Sequence, residues 1–588
     1  MSVDPSANVL RRGEKLINRI RYLGCLVFLL LLAGRPAFAI KVPSGIDSCP
    51  TLDSCLKLLD SVVPANDDGE GSNSDVIAGF LRRFGEPAKR ELLKKAIGSH
   101  PGWRNVAGAI LSEWGSWRPS DVPELRAALR KDPGGWTARP LGEIGTPDAI
   151  EALVEDLPNG SENQTDFALS HLGSKAIPYL FPLLEDDQDT ESASRVISEM
   201  GAAAVPFASS WVALATEPGK PLKERLAALR GIAAVGDGAR TASAGLHGLL
   251  SDPHPKLREQ ADMTLKAVHD PIVVEEVVGS CHPSAAPFDS VAISSLLCLR
   301  EIASYGDGAR RVGGKLMPFV SSRNGAERAY GMTVLGLIDY QPAIPQIEEA
   351  LNSNDWRVVY AAIRSLGWLG AKSTTPEIEK TGSNYWLPEV RENAARVATA
   401  LRSSEGRVEW PSRDWLVPSR YGFQHELFTI DAQVLREASA CPGGSWRWKE
   451  ISFKIPTRTE RQAESLRFRD GELVGTDHGE FGGELAWLPS NGQPQTILKD
   501  NVTQMERDED GAIALVGLAH MSFDYGYVLK MERTARETWN LTEVARLPAK
   551  ADGLTALSSD LFAARSFGRV VVFSSKQGIL GLATCDSP

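Results

Sequence analysis

The 588-residue chain carries none of the short motifs that mark the common catalytic centres. There is no GxSxG, no HExxH, no Walker loop, and no GxGxxG in a strand–turn–helix setting. Serine-hydrolase, zincin, P-loop and dinucleotide chemistry therefore have no anchor. Zinc-finger spacing is missing too: no CxxC occurs, and only His282 stands beside a cysteine. Basic charge is in deficit, with 64 Lys and Arg against 75 Asp and Glu, a net of −11. That balance makes a poor generic nucleic-acid binder, which needs basic surface to displace counterions, and leaves room only for a local basic patch. The apolar run near the start, Leu23 to Ala33, is about half of the ~20 residues that span a bilayer.

What precedes and follows that run has a recognisable layout. Arg11, Arg12, Lys15, Arg19 and Arg21 lie before it, and "PAFA", ending at Ala39, comes after it. A charged region, a short apolar region and small residues at the −3 and −1 positions predict a signal peptide over 1–39. The alternative is an uncleaved anchor across residues 23–39. Without the first 39 residues the balance is 58 basic against 73 acidic, a net of −15. Export, to a periplasmic or extracellular space, is the expected localisation.

Six cysteines then remain: Cys49, Cys55, Cys281, Cys298, Cys441 and Cys585. An even number in an exported chain suggests disulfides. Nearness in sequence favours Cys49–Cys55 and Cys281–Cys298, which leaves Cys441–Cys585 to bracket the C-terminal region. The first pair falls in an N-terminal segment, 40–73, whose second half is polar.

The stretch "ARPLGEIGTPDAIEALVEDL", 138–157, reads as a helix, a glycine break at Gly145 and a second helix. Leu141, Ile144, Ile150, Leu153 and Leu157 make its apolar stripes. One such hairpin cannot bury its own faces and needs neighbours of its kind. They come every 28 to 37 residues, with breaks at Gly85, Gly115, Gly145, Gly173, Gly201, Gly236, His269-Asp270-Pro271, Gly306, Ile338-Asp339 and Gly370. The identical "GDGAR" at 236 and 306 fits two repeat lengths. Leu141, Leu172 and Leu366 are expected in the inter-repeat core of a right-handed α-solenoid over 74–403. The last helix, "EVRENAARVATAL", is expected to turn a polar face, Glu389, Arg391, Glu392 and Arg396, to solvent as a cap.

This pattern resembles HEAT repeats, particularly the short HEAT-like type found in phycobilisome lyases. The resemblance implies a helical-hairpin solenoid and a binding surface for other proteins. It singles out no bilin chemistry in this chain.

After a Pro- and Trp-rich linker, 404–420, the period changes. "WRWKEISFKI", "ESLRFRDGELVGTDHGEFGGELAWL", "TQMERDEDGAIALVGLAHMSFDYGYVLKM" and "TALSSDLFAARSFGRVVVFSS" alternate and carry turn signals. They predict an all-β domain over 421–588, propeller-like in its spacing, with 421–450 as a degenerate unit. A sandwich or meander is the other reading.

Candidate chemistry is sparse. His478-x-x-Phe481 and His520-x-x-Phe523 occupy matching places in two units, with Asp477 and Glu480 nearby. They are ligand candidates, but their repetition argues for a structural role. Asp252, His254 and Glu259 match no metal spacing. Trp446 and Trp448 share a strand face of the kind that stacks on a sugar, but burial against the solenoid is the expected role. Asn-x-Ser/Thr occurs at Asn159, Asn163, Asn501 and Asn540. No residue is assigned to catalysis, a cofactor or a metal.

The sequence therefore points to an exported, non-enzymatic scaffold that binds a protein or peptide partner, with no nucleic acid involved. Second-helix carboxylates such as Glu151, Glu155, Glu348 and Glu349 would favour a basic partner. The rival is a ligand-binding or enzymatic module in the β domain using His478 and His520.

Overall fold

All ten breaks turn through the left-handed region. The φ values at Gly85, Gly115, Gly145, Gly173, Gly201, Gly236, His269, Gly306, Asp339 and Gly370 run from +52° to +69°. This computed structural model describes residues 38–39, 42–61, 63, 69–70, 73–159, 164–284, 293–408, 441, 444–456, 464–509, 511–520, 523–534 and 538–585. Residues 1–37 of the expected signal peptide, the expected linker from 409 and the expected first part of the β domain to 440 lie outside these. The chain divides into two compact units at Val268–His269.

In the first unit, helix Ala138–Ile144 ends where the Gly145 N–H donates to Leu141 O (3.0 Å). That is a left-handed C-cap, which glycine adopts without a Cβ penalty. Helix Pro147–Asp156 follows at once. Leu141, Ile150, Leu153 and Leu157 are buried. Leu172, expected in the core, is only half-buried, because it lies over the next face of the break: a Cβ on Gly145 would sit 3.0 Å from Leu172 Cδ2. Gly145→Ala should therefore cost about 1–2 kcal/mol, the left-handed penalty for an L-residue. Chemical denaturation measures it, and a change below ~0.5 kcal/mol would show that the turn re-forms without strain.

Adjacent hairpins of this unit are also coupled by charge. Buried Lys89 pairs with Asp121 of the following hairpin and lies 4.2 Å over the Trp117 ring. Arg195 pairs with Asp166, and Arg225 with Asp252 at 3.2 Å. Each pair joins positions about one repeat apart, so the repeat period sets the ionic contacts as well as the apolar ones. At the start of the unit Cys49 and Cys55 pair across the first turn of helix Leu52–Asp60, with Cα atoms 5.5 Å apart. Arg83 of the first hairpin donates to the carbonyls of Cys49 (2.6 Å) and Ile46 (3.3 Å), which holds this loop on the helices.

The second unit begins with further hairpins. Its two breaks without glycine use residues that compensate locally. Asp339 accepts from Arg310 (2.8 Å), Gln341 (2.8 Å) and Arg407 (3.2 Å). His269 sets its ring edge-on to Tyr305, 5.2 Å between centroids. Cys281 and Cys298 pair with Cα atoms 5.7 Å apart. Beside them the Glu327 carboxylate, fully buried, accepts from Ser284 N (2.7 Å), Ser295 Oγ (2.5 Å) and Ser322 Oγ (2.6 Å). Leu366 is fully buried in helix Trp356–Trp368.

The last helix, Pro388–Arg402, is not a free cap. Arg391, Glu392 and Arg396 face solvent, but Glu389 is buried and pairs with Arg569 of the β region (Arg569 Nη1 to Glu389 Oε2 3.2 Å). Trp356 Nε1 donates to Leu547 O at 3.3 Å, and Trp386 packs on a β-sheet core. The polar face expected in water is in part an interface.

The β region runs β1 (Ser445–Trp448), β2 (Ile451–Lys454), β3 (Glu464–Phe468), β4 (Gly471–Gly475), β5 (Leu485–Pro489), β6 (Gln495–Leu498), β7 (Val502–Asp508), β8 (Gly511–His520), β9 (Phe523–Arg533), β10 (Trp539–Leu547), β11 (Ala551–Ala556), β12 (Leu561–Ser566), β13 (Arg569–Ser574), β14 (Gly578–Leu582) and β15 (Thr584–Cys585). It forms antiparallel sheets β3–β6, β7–β10 and β11–β14, each of four strands in order, and a three-stranded sheet β15-β1-β2. Apolar cores join the first sheet to the second, the second to the third, and the third to the three-stranded one. Among the described residues no core joins the three-stranded sheet back to β3–β6, so no closed propeller is found. Trp446 and Trp448 pack against Ala563, Val570 and Val572 of the third sheet, not against helices. Cys441 and Cys585 pair at a Cα distance of 5.6 Å.

Candidate functional site

On the helical surface the expected carboxylates differ in availability. Glu155 is taken by Arg126 (Nε to Oε2 3.1 Å) and Arg130 (3.1 Å), and the Arg126 bond holds its pKa below the usual carboxylate value. Glu151 and Glu349 face solvent, and Glu348 is half-buried. Asp252 bonds the N–H of His254 (2.8 Å) and pairs with Arg225, so the Asp252-His254 group is a turn, not a ligand set. The helical surface also carries exposed apolar side chains that the charge pattern concealed. Phe167 is 42% exposed on helix Gln164–Leu172, and Met263 56% on helix Pro255–Ala267. The Arg139 guanidinium lies 5.1 Å from the Phe167 ring centroid and pairs with Glu113 (3.1 Å); the His171 ring is 3.8 Å from Phe167. Glu143, beside them, has its pKa raised by burial, with Glu113 adding. Phe167 is thus a partly exposed ring flanked by a guanidinium and an imidazole, and aromatic and arginine side chains are the types that dominate interface energies.

In the β region His478 is exposed at the connection between β4 and β5. The turn that holds it is built from buried groups. Asn501, 2% exposed, accepts from His478 N (3.1 Å) and donates to Gly479 O (2.9 Å). Asp477 accepts from Gly479 N (2.9 Å) and pairs with Lys550 at 2.7 Å. A Cβ on Gly483 would meet Thr476 O at 2.1 Å, so the chain closes here only with glycine. Phe481 at the tip is 86% exposed. His520 ends β8 opposite Phe523, at the equivalent connection of the next sheet; its side chain, and that of Glu480, lie outside the described residues. Next to this turn Asp500 accepts from Tyr525 Oη (2.8 Å) and Tyr527 Oη (2.7 Å), and burial together with the Asp500 charge pushes the Tyr527 pKa up.

Among the described residues no group of three or more His, Cys, Asp and Glu could hold a metal ion. The buried polar groups at this end of the β region are engaged in fixing connections between sheets. Asn501 is buried and bonded at both ends of its amide, so its sequon is not a surface acceptor; Asn540 is exposed on β10, and the Asn159 and Asn163 side chains lie outside the described residues. No single described helix is long and apolar enough to cross a membrane.

Residues 315–399 match the family model described as HEAT repeats. No curated protein matches the chain. Similar solved structures include an engineered protein (17% identity over 56% of this chain and 99% of that one, TM-score 0.25). Others are Kap121p bound to Pho4p (12%, 61% and 46%, 0.33) and yeast importin-β, Kap95p (11%, 66% and 62%, 0.26). The chain spans about half the length of Kap121p. All of these scores are low, and no function transfers along them.

Proposed function

We propose that this chain, HEAT-like in its repeats, is an exported, non-enzymatic scaffold that holds a protein or peptide partner on its helical surface. The observation that carries the reading is the exposed Phe167 between Arg139 and His171, on a helix that buries Ala168 and Leu169 instead. Stacked hairpins build extended surfaces of this kind as a consequence of their repetition. The solvent-facing Glu151 and Glu349 favour a partner with basic character. Export rests on the residue pattern that ends at Ala39 and on six cysteines paired at bonding distance.

The test uses the full chain, because a cut at 403 would strip Arg569 from buried Glu389. Phe167→Ala and the charge reversal Glu151→Lys should each weaken capture of the partner from the native compartment, the first by roughly tenfold, as for an interface anchor. N-terminal sequencing of mature protein should begin at Ile40. Unchanged capture by both variants, with loss on His478→Ala, would transfer the activity to the β region and overturn the scaffold reading.

A further inference from the structure

Among the described residues, one sheet of the β region has a strand fewer than the other three. The three sheets β3–β6, β7–β10 and β11–β14 have four strands each, whereas β15-β1-β2 has three. Among the described residues nothing pairs with the outer edge of β2. The register fixes which groups that edge offers. β1 and β2 pair Trp448 with Ile451 across a two-residue loop, Lys449-Glu450, with Lys449 at φ +51°. A loop of that length makes the flanking pair the hydrogen-bonded one. Bonded and non-bonded pairs alternate along an antiparallel ladder. Ile451 and Phe453 therefore bond to β1, and Ser452 and Lys454 turn their N–H and C=O groups outward.

The side chains sort in the same way. Trp446, Trp448, Ile451 and Phe453 share the face that packs on the third sheet, where Phe453 is half-buried and Ile451, at the rim, is 38% exposed. Ser452 and Lys454 share the solvent face and are exposed. The hairpin is basic, with exposed Lys449 and Lys454 against Glu450, in a chain of net charge −11.

We propose that the outer edge of β2 accepts a fourth strand: an extended segment of a partner protein in which apolar and acidic residues alternate. Main-chain bonds to Ser452 and Lys454 would supply affinity, as in other strand additions. The apolar residues would lie beside Ile451 and Phe453 and cover the exposed rim. The carboxylates would stand across from Lys454, where opposite charges on neighbouring strands attract. The proposal does not depend on the helical surface; either site can fail without the other.

The probe is a fluorescent peptide of about nine residues alternating valine and glutamate, titrated into the full chain and followed by anisotropy. A valine–lysine peptide of equal length is the control. The glutamate peptide should bind saturably and the lysine peptide roughly tenfold more weakly. Ser452→Pro deletes only an outward N–H, a change that edge strands tolerate. It should weaken binding by roughly tenfold or more and leave the thermal midpoint in place. Lys454→Glu, a surface change that does not touch the ladder, should reverse the peptide preference. No saturable binding, or equal binding by Ser452→Pro and Lys454→Glu, would overturn the proposal. So would a midpoint lowered by Ser452→Pro in a chain that binds neither peptide, since the chain's own residues 409–440 would then be filling the edge.

Discussion

Replacing Cys441 and Cys585 with serine should lower the unfolding free energy of the β region by about 4–5 kcal/mol, the loop-closure value for a bridge of roughly a hundred residues or more. The two cysteines are 144 residues apart, and among the described residues the strand that carries Cys585 pairs with β1 through two positions, Thr584 with Arg447 and Cys585 with Trp446. Two ladder positions cannot hold a chain end against its conformational entropy. The covalent bond therefore keeps first and last strands in one sheet. Guanidinium denaturation of the double variant, with and without reductant on the parent chain, measures the effect. A loss under ~1 kcal/mol would show that the pairing of β1 with β15 holds without the bond, and peptide mapping that finds a different partner for Cys585 would remove its basis.

Arg569→Ala should cost about 3–5 kcal/mol, the range for removing one partner of a buried ion pair. The Glu389 and Arg569 side chains are 6% and 10% exposed, so neither is rescued by water once the other is gone. Most of the cost is the desolvated carboxylate left without this guanidinium, not the attraction itself. It follows that Glu389→Leu combined with Arg569→Met, which removes both charges and keeps the volume, should restore most of the stability. A double-mutant cycle decides this. If the double variant is as unstable as Arg569→Ala alone, packing around the guanidinium stem, not the charge, is what the β region needs from this position.

The helical breaks were legible because a left-handed turn needs glycine or a residue that tolerates φ > 0, and the chain repeats such residues at one period. His269 and Asp339 fit the period even though neither is glycine, and both take the same φ. The first three strands of each four-stranded sheet were legible from alternation and turn residues. The fourth strands were not. β6, Gln495–Leu498, places its two polar residues first and its two apolar ones last, so they do not alternate, and β10 mixes buried Arg546 with exposed Asn540 and Thr542. The polar face of the last helix misled for a different reason. Glu389 looks like a solvent residue in its own helix, and the arginine that makes it an interior one lies 180 positions later. Glu155 misled in the same way at shorter range, since Arg126 comes from the preceding hairpin. At the candidate site Phe167 is unremarkable as a sequence letter; only the packing around it shows that its ring is left over.

A stack of identical hairpins is by its geometry a length of fibre, because each terminal face is a template for one more unit. In this chain the first hairpin of the first unit and the last helix of the second unit are each covered. The Cys49–Cys55 loop lies on the first hairpin through Arg83, and the β region lies on helix Pro388–Arg402 through the Glu389–Arg569 pair and on the residues before it through Trp386 and Trp356. Growth by head-to-tail addition of a second molecule, the usual hazard of open heterologous contacts, would require one of these coverings to lift. The same residues that fasten the β region thus withhold the outer side of the last helix from a second molecule.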